Sequence, residues 1–325
     1  MVYKNKIYFL IKLSISACLI LWIINKVDYD ETVKIISSVK IHFFLLGFLW
    51  LILDRILMSY RWDILLMAKQ VDIPFYQIVK IYFLGTFSGN FLPSSIAPDV
   101  VKVYFASKYN AKTSEILSSV IVDRVLGLFS LSVIALFSIG FIFFDSGEIN
   151  RKSLIVIIAI LFVISLLIYS DTILKKIHFI KSSQVLQVFK DNIIWKSLEK
   201  LYYSCNEYKK NYGAMKSALL VSFINHALGI LAIYVLSYSV GIQVSLLYYF
   251  VFVPLINVLI MLPVSVGGIG VQEGAFIYFF SQVGVTSDEA LTVALLFRAL
   301  TIAVSIPGGI LYIIEDTPHK VLSSK

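Results

Sequence analysis

Six stretches of this sequence, at about 7–25, 41–60, 117–144, 153–170, 216–240 and 289–314, are apolar over a membrane-crossing length, which takes about 17–25 helical residues. Backbone groups inside a bilayer must satisfy one another, so runs of this length fold as helices. Two further regions, about 75–107 and 244–283, are as apolar but are broken by Pro and Gly. Composition agrees: 59% of the residues are AVILMFWYC and 15% are charged, against about 45–50% and about 25% in soluble chains. The fold class is therefore all-α: a polytopic integral membrane protein with six single spans and two Pro/Gly-broken hairpins. Lys4, Lys6 and Lys12 precede the run Leu13–Ile24 as in a signal peptide. No small-x-small cleavage site follows, so that run reads as an uncleaved helix.

The net charge of +8 raises nucleic acid as a partner, but the positions of the lysines argue against it. Lys4, Lys6, Arg61, Lys69, Lys108 and Lys112 fall on one side of this topology, with Lys320 and Lys325 and the dense set from Lys175 to Lys210. The other side keeps Lys26, Lys34, Lys40, Arg151 and Lys152, diluted by Asp28, Asp30, Glu31, Asp145 and Glu148. The positive-inside rule then puts both termini in the cytoplasm of a multi-pass protein of the cell membrane. Each broken region must enter and leave on one face, as a re-entrant hairpin or as two crossings. The segment 171–215 is a basic cytoplasmic loop, and its lysines alternate with Leu186, Phe189, Trp195 and Leu198 as in a surface amphipathic helix. Such a helix either meets anionic lipid or only fixes topology. Cys18 and Cys205 provide no disulfide framework.

The two broken regions resemble each other. Asn90-Phe-Leu-Pro93 leading to Asp99 stands beside Met261-Leu-Pro263 leading to Gly267-Gly268-Ile-Gly270 and Glu273. One constant separation along the chain pairs Asp99 with Glu273, Glu115 with Glu289 and Arg124 with Arg298. The first unit covers about 75–144 and the second about 244–314, within one membrane domain of residues 1–325. Three single spans, 117–144, 153–170 and 216–240, separate the two broken regions, so the second copy is expected upside down. Inverted repeats with interrupted helices are the pattern of secondary transporters, whose substrates bind near the bilayer midplane.

Arg124 and Arg298 lie about 13–14 Å into their spans at about 1.5 Å per residue, near the middle of a core about 30 Å thick. A guanidinium there needs an anion. Asp99, Glu273, Asp123 or a substrate phosphate could supply it. Two readings stand: salt-bridge locks that hold the hairpins, or a site where bidentate Arg donors take a lipid phosphate. The site is the expectation, because two related Arg–acid sets are more charge than a lock needs. Its candidate residues are Arg124, Arg298, Asp99, Glu273, Asn90, Gly267, Gly268 and Gly270. The glycines permit irregular backbone beside a cavity, and a half-helix starting near Val271 would aim its N-terminal N–H groups at an anion. Arg55 is near enough to the end of its span to snorkel, Arg61-Trp62 reads as an interfacial anchor, and Asp54 is a candidate partner of Arg124. His42, His178, His226 and His319 are scattered, and no HExxH, GxSxG or paired-Cys motif is present. No catalytic residue, metal or cofactor is expected.

At these residues the chain resembles the flippase-like family of the lysylphosphatidylglycerol synthase transmembrane region, also known as UPF0104 or AglD-like. The elements are Gly85-x-Phe87-x-x-Asn90-x-x-Pro93 with Asp99, Asp123-Arg124-x-x-Gly127, Leu262-Pro-x-Ser-x-Gly-Gly-Ile-Gly-x-x-Glu273, and Arg298. Ala97-Pro98-Asp99 stands where the family usually has Gly-Asp, and Asp123 replaces its commoner Glu. The resemblance implies a lipid-handling domain. In the synthases this domain moves an aminoacylated phospholipid between leaflets and a soluble transferase domain follows; with the chain ending at Lys325, that transferase is not expected here. The expected function is a non-enzymatic translocator that passes a phospholipid or polyprenyl-phosphate-linked lipid between leaflets. The alternative is a membrane enzyme or accessory subunit of polyprenyl-linked glycan or cell-envelope synthesis, with envelope-synthesis enzymes as partners in either case. The only large loop, 171–215, is basic rather than rich in acids, which disfavours the enzyme.

Overall fold

A computed structural model describes residues 14–91, 97–109, 112–142, 206–261 and 265–314, without the side chains of 139–142. Among these residues the secondary structure is all helical. The helices are α1 (Ser14–Ile24), α2 (Tyr29–Ser38), α3 (Ile41–Met67), α4 (Phe75–Phe91), α5 (Ala97–Ala106) and α6 (Thr113–Ile142). A single 3-10 turn, Tyr208–Lys210, then leads into α7 (Tyr212–Ser239), α8 (Leu246–Met261), α9 (Val271–Ser281) and α10 (Ser287–Ile314).

Local chemistry sets the helix ends. The Asp28 carboxylate accepts the N–H groups of Asp30 and Glu31 at 2.9 and 3.2 Å and starts α2, as N-caps do. Glu289 accepts the Thr286 N–H at 3.0 Å while Thr286 Oγ1 accepts the Glu289 N–H at 3.3 Å, a reciprocal capping box at the head of α10. Lys69 Nζ donates to Glu207 Oε2 at 2.7 Å, tying the segment before α7 to the end of α3. That hydrogen bond draws the Glu207 carboxyl below its usual range.

Among the described residues, four helices are long and apolar enough to cross a membrane: Ile41–Met67, Thr113–Ser138, Tyr212–Ser239 and Ser287–Ile314. They correspond to the runs expected at 41–60, 117–144, 216–240 and 289–314. The run at 7–25 is described from Ser14 on, and the run at 153–170 lies outside the described residues, as does most of the loop 171–215. Each broken region resolves into two helices, α4 with α5 and α8 with α9. At about 1.5 Å per residue, α5 and α9 reach about 15–16 Å, half of a core about 30 Å thick.

The structure corrects the reading of Arg61-Trp62 as an interfacial anchor. Helix α3 runs on to Met67, which puts Arg55 near its middle instead of within snorkelling reach of its end, and Arg61 and Trp62 are 2% and 0% exposed inside it. The hydropathy run stops at a polar pair that faces protein instead of the membrane surface.

Packing exchanges the two halves. Helix α3 lies along α7, α4 against α10, and α8 against α6. Helix α5 closes on α6 as α9 closes on α10, and α3 meets α10 as α7 meets α6. Every one of these contacts maps onto another, or onto itself, when α3, α4, α5 and α6 are swapped for α7, α8, α9 and α10. The close approach of α4 and α10 depends on Gly308, where a Cβ would overlap the backbone of Phe83. The largest core cluster lies around α8 and α9, where Phe252, Phe276, Phe280 and Tyr249 stack and meet edge to face.

Candidate functional site

A cavity of about 430 Å³ opens where α3, the two hairpins, α6 and α10 converge. Of the expected site residues, Arg124, Arg298, Asp99, Asn90, Gly267 and Gly268 line it. Glu273 stands behind Arg298, 6% exposed, and Gly270 faces a separate apolar groove beside Leu19 and Trp22. Arg124 and Arg298 stand at the same count of residues past the starts of α6 and α10, about 16 Å along at about 1.5 Å per residue. Both helices start earlier than their hydropathy indicates, so both arginines lie further along their helices than the apolar runs placed them.

Each arginine meets the acid one hairpin earlier. Asp99 and Glu273 both lie in the first turn of their short helices. Arg124 forms an ion pair with Asp99, and Arg298 Nε donates to Glu273 Oε1 at 2.5 Å. The surroundings differ. Arg298 also donates to the carbonyls of Gly268 at 3.1 Å and Gly267 at 3.4 Å, clasping the turn before α9. Gly267, Gly268 and Gly270 have φ of 59°, 72° and 80°, a backbone that side chains with a Cβ rarely adopt. Glu273 Oε2 accepts the Gly270 N–H at 2.8 Å, so the anion at this helix start is the protein's own carboxylate. Asn90 Nδ2 donates to the Thr301 carbonyl at 3.0 Å and links the first hairpin to α10.

Three cations of the wall were not among the expected site residues. Arg61 Nε donates to Asp123 Oδ1 at 2.6 Å and its NH1 to Ser222 Oγ at 3.0 Å. Lys102, 5% exposed, holds Nζ 3.8 Å from Asp123 Oδ2 and 3.7 Å from the Tyr82 ring centre. Arg55 Nε lies 3.4 Å from Asp54 Oδ2, and Asp54 Oδ1 accepts from Asn225 Nδ2 at 2.9 Å. Asp54 thus serves Arg55 and Asn225, where the sequence had offered it to Arg124. Helical spacing carried a signal for two of these residues. Asp54 and Arg61 stand two turns apart on one face of α3, and Asp99 and Lys102 are three apart on α5, neighbours on a helix surface.

The wall therefore brings together Arg55, Arg61, Lys102, Arg124 and Arg298 against Asp99 and Asp123. Among the described residues, three atoms on it, Arg55 Nε, His226 Nε2 and Ser265 Oγ, are buried without a hydrogen-bond partner. Buried polar atoms are nearly always bonded, so these are available to a ligand. Arg donors beside neutral amides suit a phosphate or carboxylate. Among the described residues, no three His, Cys, Asp or Glu side chains stand together to hold a metal ion.

The model of the lysylphosphatidylglycerol synthase TM region matches residues 9–308 of the chain. A UPF0104 membrane protein of Pyrococcus horikoshii is 26% identical, over 94% of this chain and 96% of its own length. A UPF0104 membrane protein of Methanothermobacter thermautotrophicus is 23% identical, over 83% of this chain and 82% of its own. With described residues that fold into helices, membrane-length spans among them and a match over nearly all of its length, this chain belongs to the family of the lysylphosphatidylglycerol synthase transmembrane region.

Proposed function

We propose that this protein is a flippase-like translocator that binds the phosphate head group of a phospholipid or lipid-linked intermediate in the 430 Å³ cavity and passes it between leaflets. The observation that carries the reading is the convergence of five cationic side chains on one wall, with Arg55, Arg124 and Arg298 near the middles of membrane-length helices. Intramembrane charge is costly and is kept where it serves a polar pathway. The exchange of packing partners between α3–α6 and α7–α10, with Arg124 and Arg298 at matched depths, supports an inverted repeat around that cavity. In this reading both termini face the cytoplasm of the cell membrane, and the protein changes the lipid's leaflet without changing its covalent structure.

The test is a leaflet-exchange assay in reconstituted vesicles with a head-group-labelled phospholipid. Wild-type protein is expected to accelerate exchange, and Arg124→Ala, purified as a folded species, is expected to lose that acceleration. Exchange at the wild-type rate by Arg124→Ala would refute the site.

A further inference from the structure

We infer that the twofold axis relating the two repeats runs through the Asp54–Asn225 hydrogen bond, and that Arg55 and His226, the next residue on each helix, form a second contact for the head group on that axis. This rests on the head-group reading above and deepens it. One constant separation along the chain carries the first residues of α3 and α4, Ile41 and Phe75, onto those of α7 and α8, Tyr212 and Leu246. The separation that pairs Asp99 with Glu273 carries the first residues of α5 and α6, Ala97 and Thr113, onto those of α9 and α10, Val271 and Ser287. By the first of these, Asp54 is the counterpart of Asn225, and the two stand at the middles of helices of 27 and 28 residues. Both are buried, and Asp54 Oδ1 accepts from Asn225 Nδ2 at 2.9 Å. In a twofold arrangement a residue meets its own counterpart only at the axis.

The residues that follow are counterparts too: Arg55 and His226 both line the cavity. So do Thr86 with Asn257, Arg124 with Arg298, and Gly127 with Thr301, which puts the axis through the cavity. Hydrogen bonding singles out the same pair without reference to the repeat. Arg55 Nε and His226 Nε2 are buried on this wall with no partner, whereas the Nε groups of Arg61 and Arg298 are taken by Asp123 and Glu273. A side chain at Gly127 would crowd His226, since a Cβ there stands 3.9 Å from Nε2. Buried polar atoms left unbonded are costly, and a head group on the axis supplies both partners from one molecule. Groups on an axis keep their place when two repeats exchange roles, while Arg124 and Arg298, to either side, trade surroundings. The axial pair therefore holds the head group while the off-axis arginines engage it in turn.

The experiment follows leaflet exchange by the full chain in phosphatidylcholine vesicles. The probe is phosphatidylethanolamine labelled on its amine with a fluorophore, at increasing label content. Arg55→Met is expected to raise the half-saturating label content about tenfold, as loss of one charge-assisted hydrogen bond does. His226→Leu should slow exchange several-fold, and His226→Gln, which restores a neutral donor and acceptor, should recover most of the lost rate. A packing role for His226 predicts the reverse order, with Leu faster than Gln, because Leu keeps apolar bulk and Gln does not. If Arg55→Met fails to fold, the two His226 variants still decide. Wild-type half-saturation in Arg55→Met, or Leu faster than Gln at position 226, with exchange still lost in Arg124→Ala, overturns the axial contact and leaves the head-group site standing. No acceleration of exchange by the wild-type protein overturns the head-group reading itself.

Discussion

The two oxygens of Glu273 are divided between Arg298 Nε, at 2.5 Å, and the Gly270 N–H, at 2.8 Å. One carboxylate therefore neutralises an intramembrane arginine and caps the half-helix that begins beside it. Arg298 completes the loop by donating to the Gly267 and Gly268 carbonyls. The ion pair and the positive-φ turn are one unit, and a change to either member disturbs both.

Arg298→Ala is therefore expected to destabilise the protein more than Arg124→Ala does. It leaves a carboxylate whose side chain is 7% exposed without its cation, a loss of about 3–5 kcal/mol for a broken buried pair. Asp99 is 15% exposed and Arg124 34%, so water softens the equivalent loss there. Thermal unfolding in detergent should give Arg298→Ala the clearly lower midpoint. Equal midpoints would contradict the difference drawn between the two pairs.

Asp123 is the shared anion of Arg61 and Lys102. Asp123→Asn keeps the shape but leaves two buried cations facing a neutral amide, and should cost about 3–5 kcal/mol. Adding Lys102→Met removes one stranded cation and should recover part of that loss. A double-mutant cycle by chemical unfolding measures it, and strict additivity would rule out the shared-anion arrangement.

The helical fold was legible because lipid enforces it: a run such as 216–240 has few other ways to satisfy its backbone. The break at Gly267–Gly270 was legible because regular helix does not pass through such a sequence. The acid–arginine pairing was legible because Arg124 and Arg298 sit in apolar surroundings that demand a counter-charge. Arg61 was misread because hydropathy registers a buried ion pair and an interfacial anchor alike, as the end of an apolar run. Only the tertiary placement of Asp123 on α6 separates the two. Lys102 was missed because its partners come from three other elements, Trp62 on α3, Tyr82 on α4 and Asp123 on α6.

Gly308→Val should separate α4 from α10. A Cβ there meets the Phe83 backbone, which has no rotamer to move, so the helices must part by more than a methyl group. Overpacking of this kind costs about 1–3 kcal/mol or more. A lower unfolding midpoint and faster proteolysis are the expected outcomes; wild-type stability would mean that the two helices do not meet at Gly308.

The topology prediction needs single cysteines in a Cys18→Ser, Cys205→Ser background. A cysteine at Lys34 on α2 or at Arg151 is expected to react with a membrane-impermeant thiol reagent only from outside. One at Lys210, beside the start of α7, should react only from the cytoplasm. Reaction of Arg151→Cys from the cytoplasm would end the inverted-repeat reading, because the three spans between the two broken regions could then no longer invert the second.

The last prediction separates a substrate site from a lock at Arg124. If the Arg124–Asp99 pair only holds α5 to α6, replacing both residues by Met removes two charges together. Such apolar replacement of a buried pair is often neutral or stabilising, so stability and lipid exchange should both return. If Arg124 takes the head-group phosphate, Arg124→Met with Asp99→Met should unfold near the wild-type midpoint yet exchange no lipid. The pair removed carries no net charge, and Arg55, Arg61, Lys102 and Arg298 remain on the wall to attract anions. What disappears is the bidentate donor that fixes the phosphate. Loss of exchange in this variant therefore measures that contact, and exchange at the wild-type rate would assign Arg124 to structure alone.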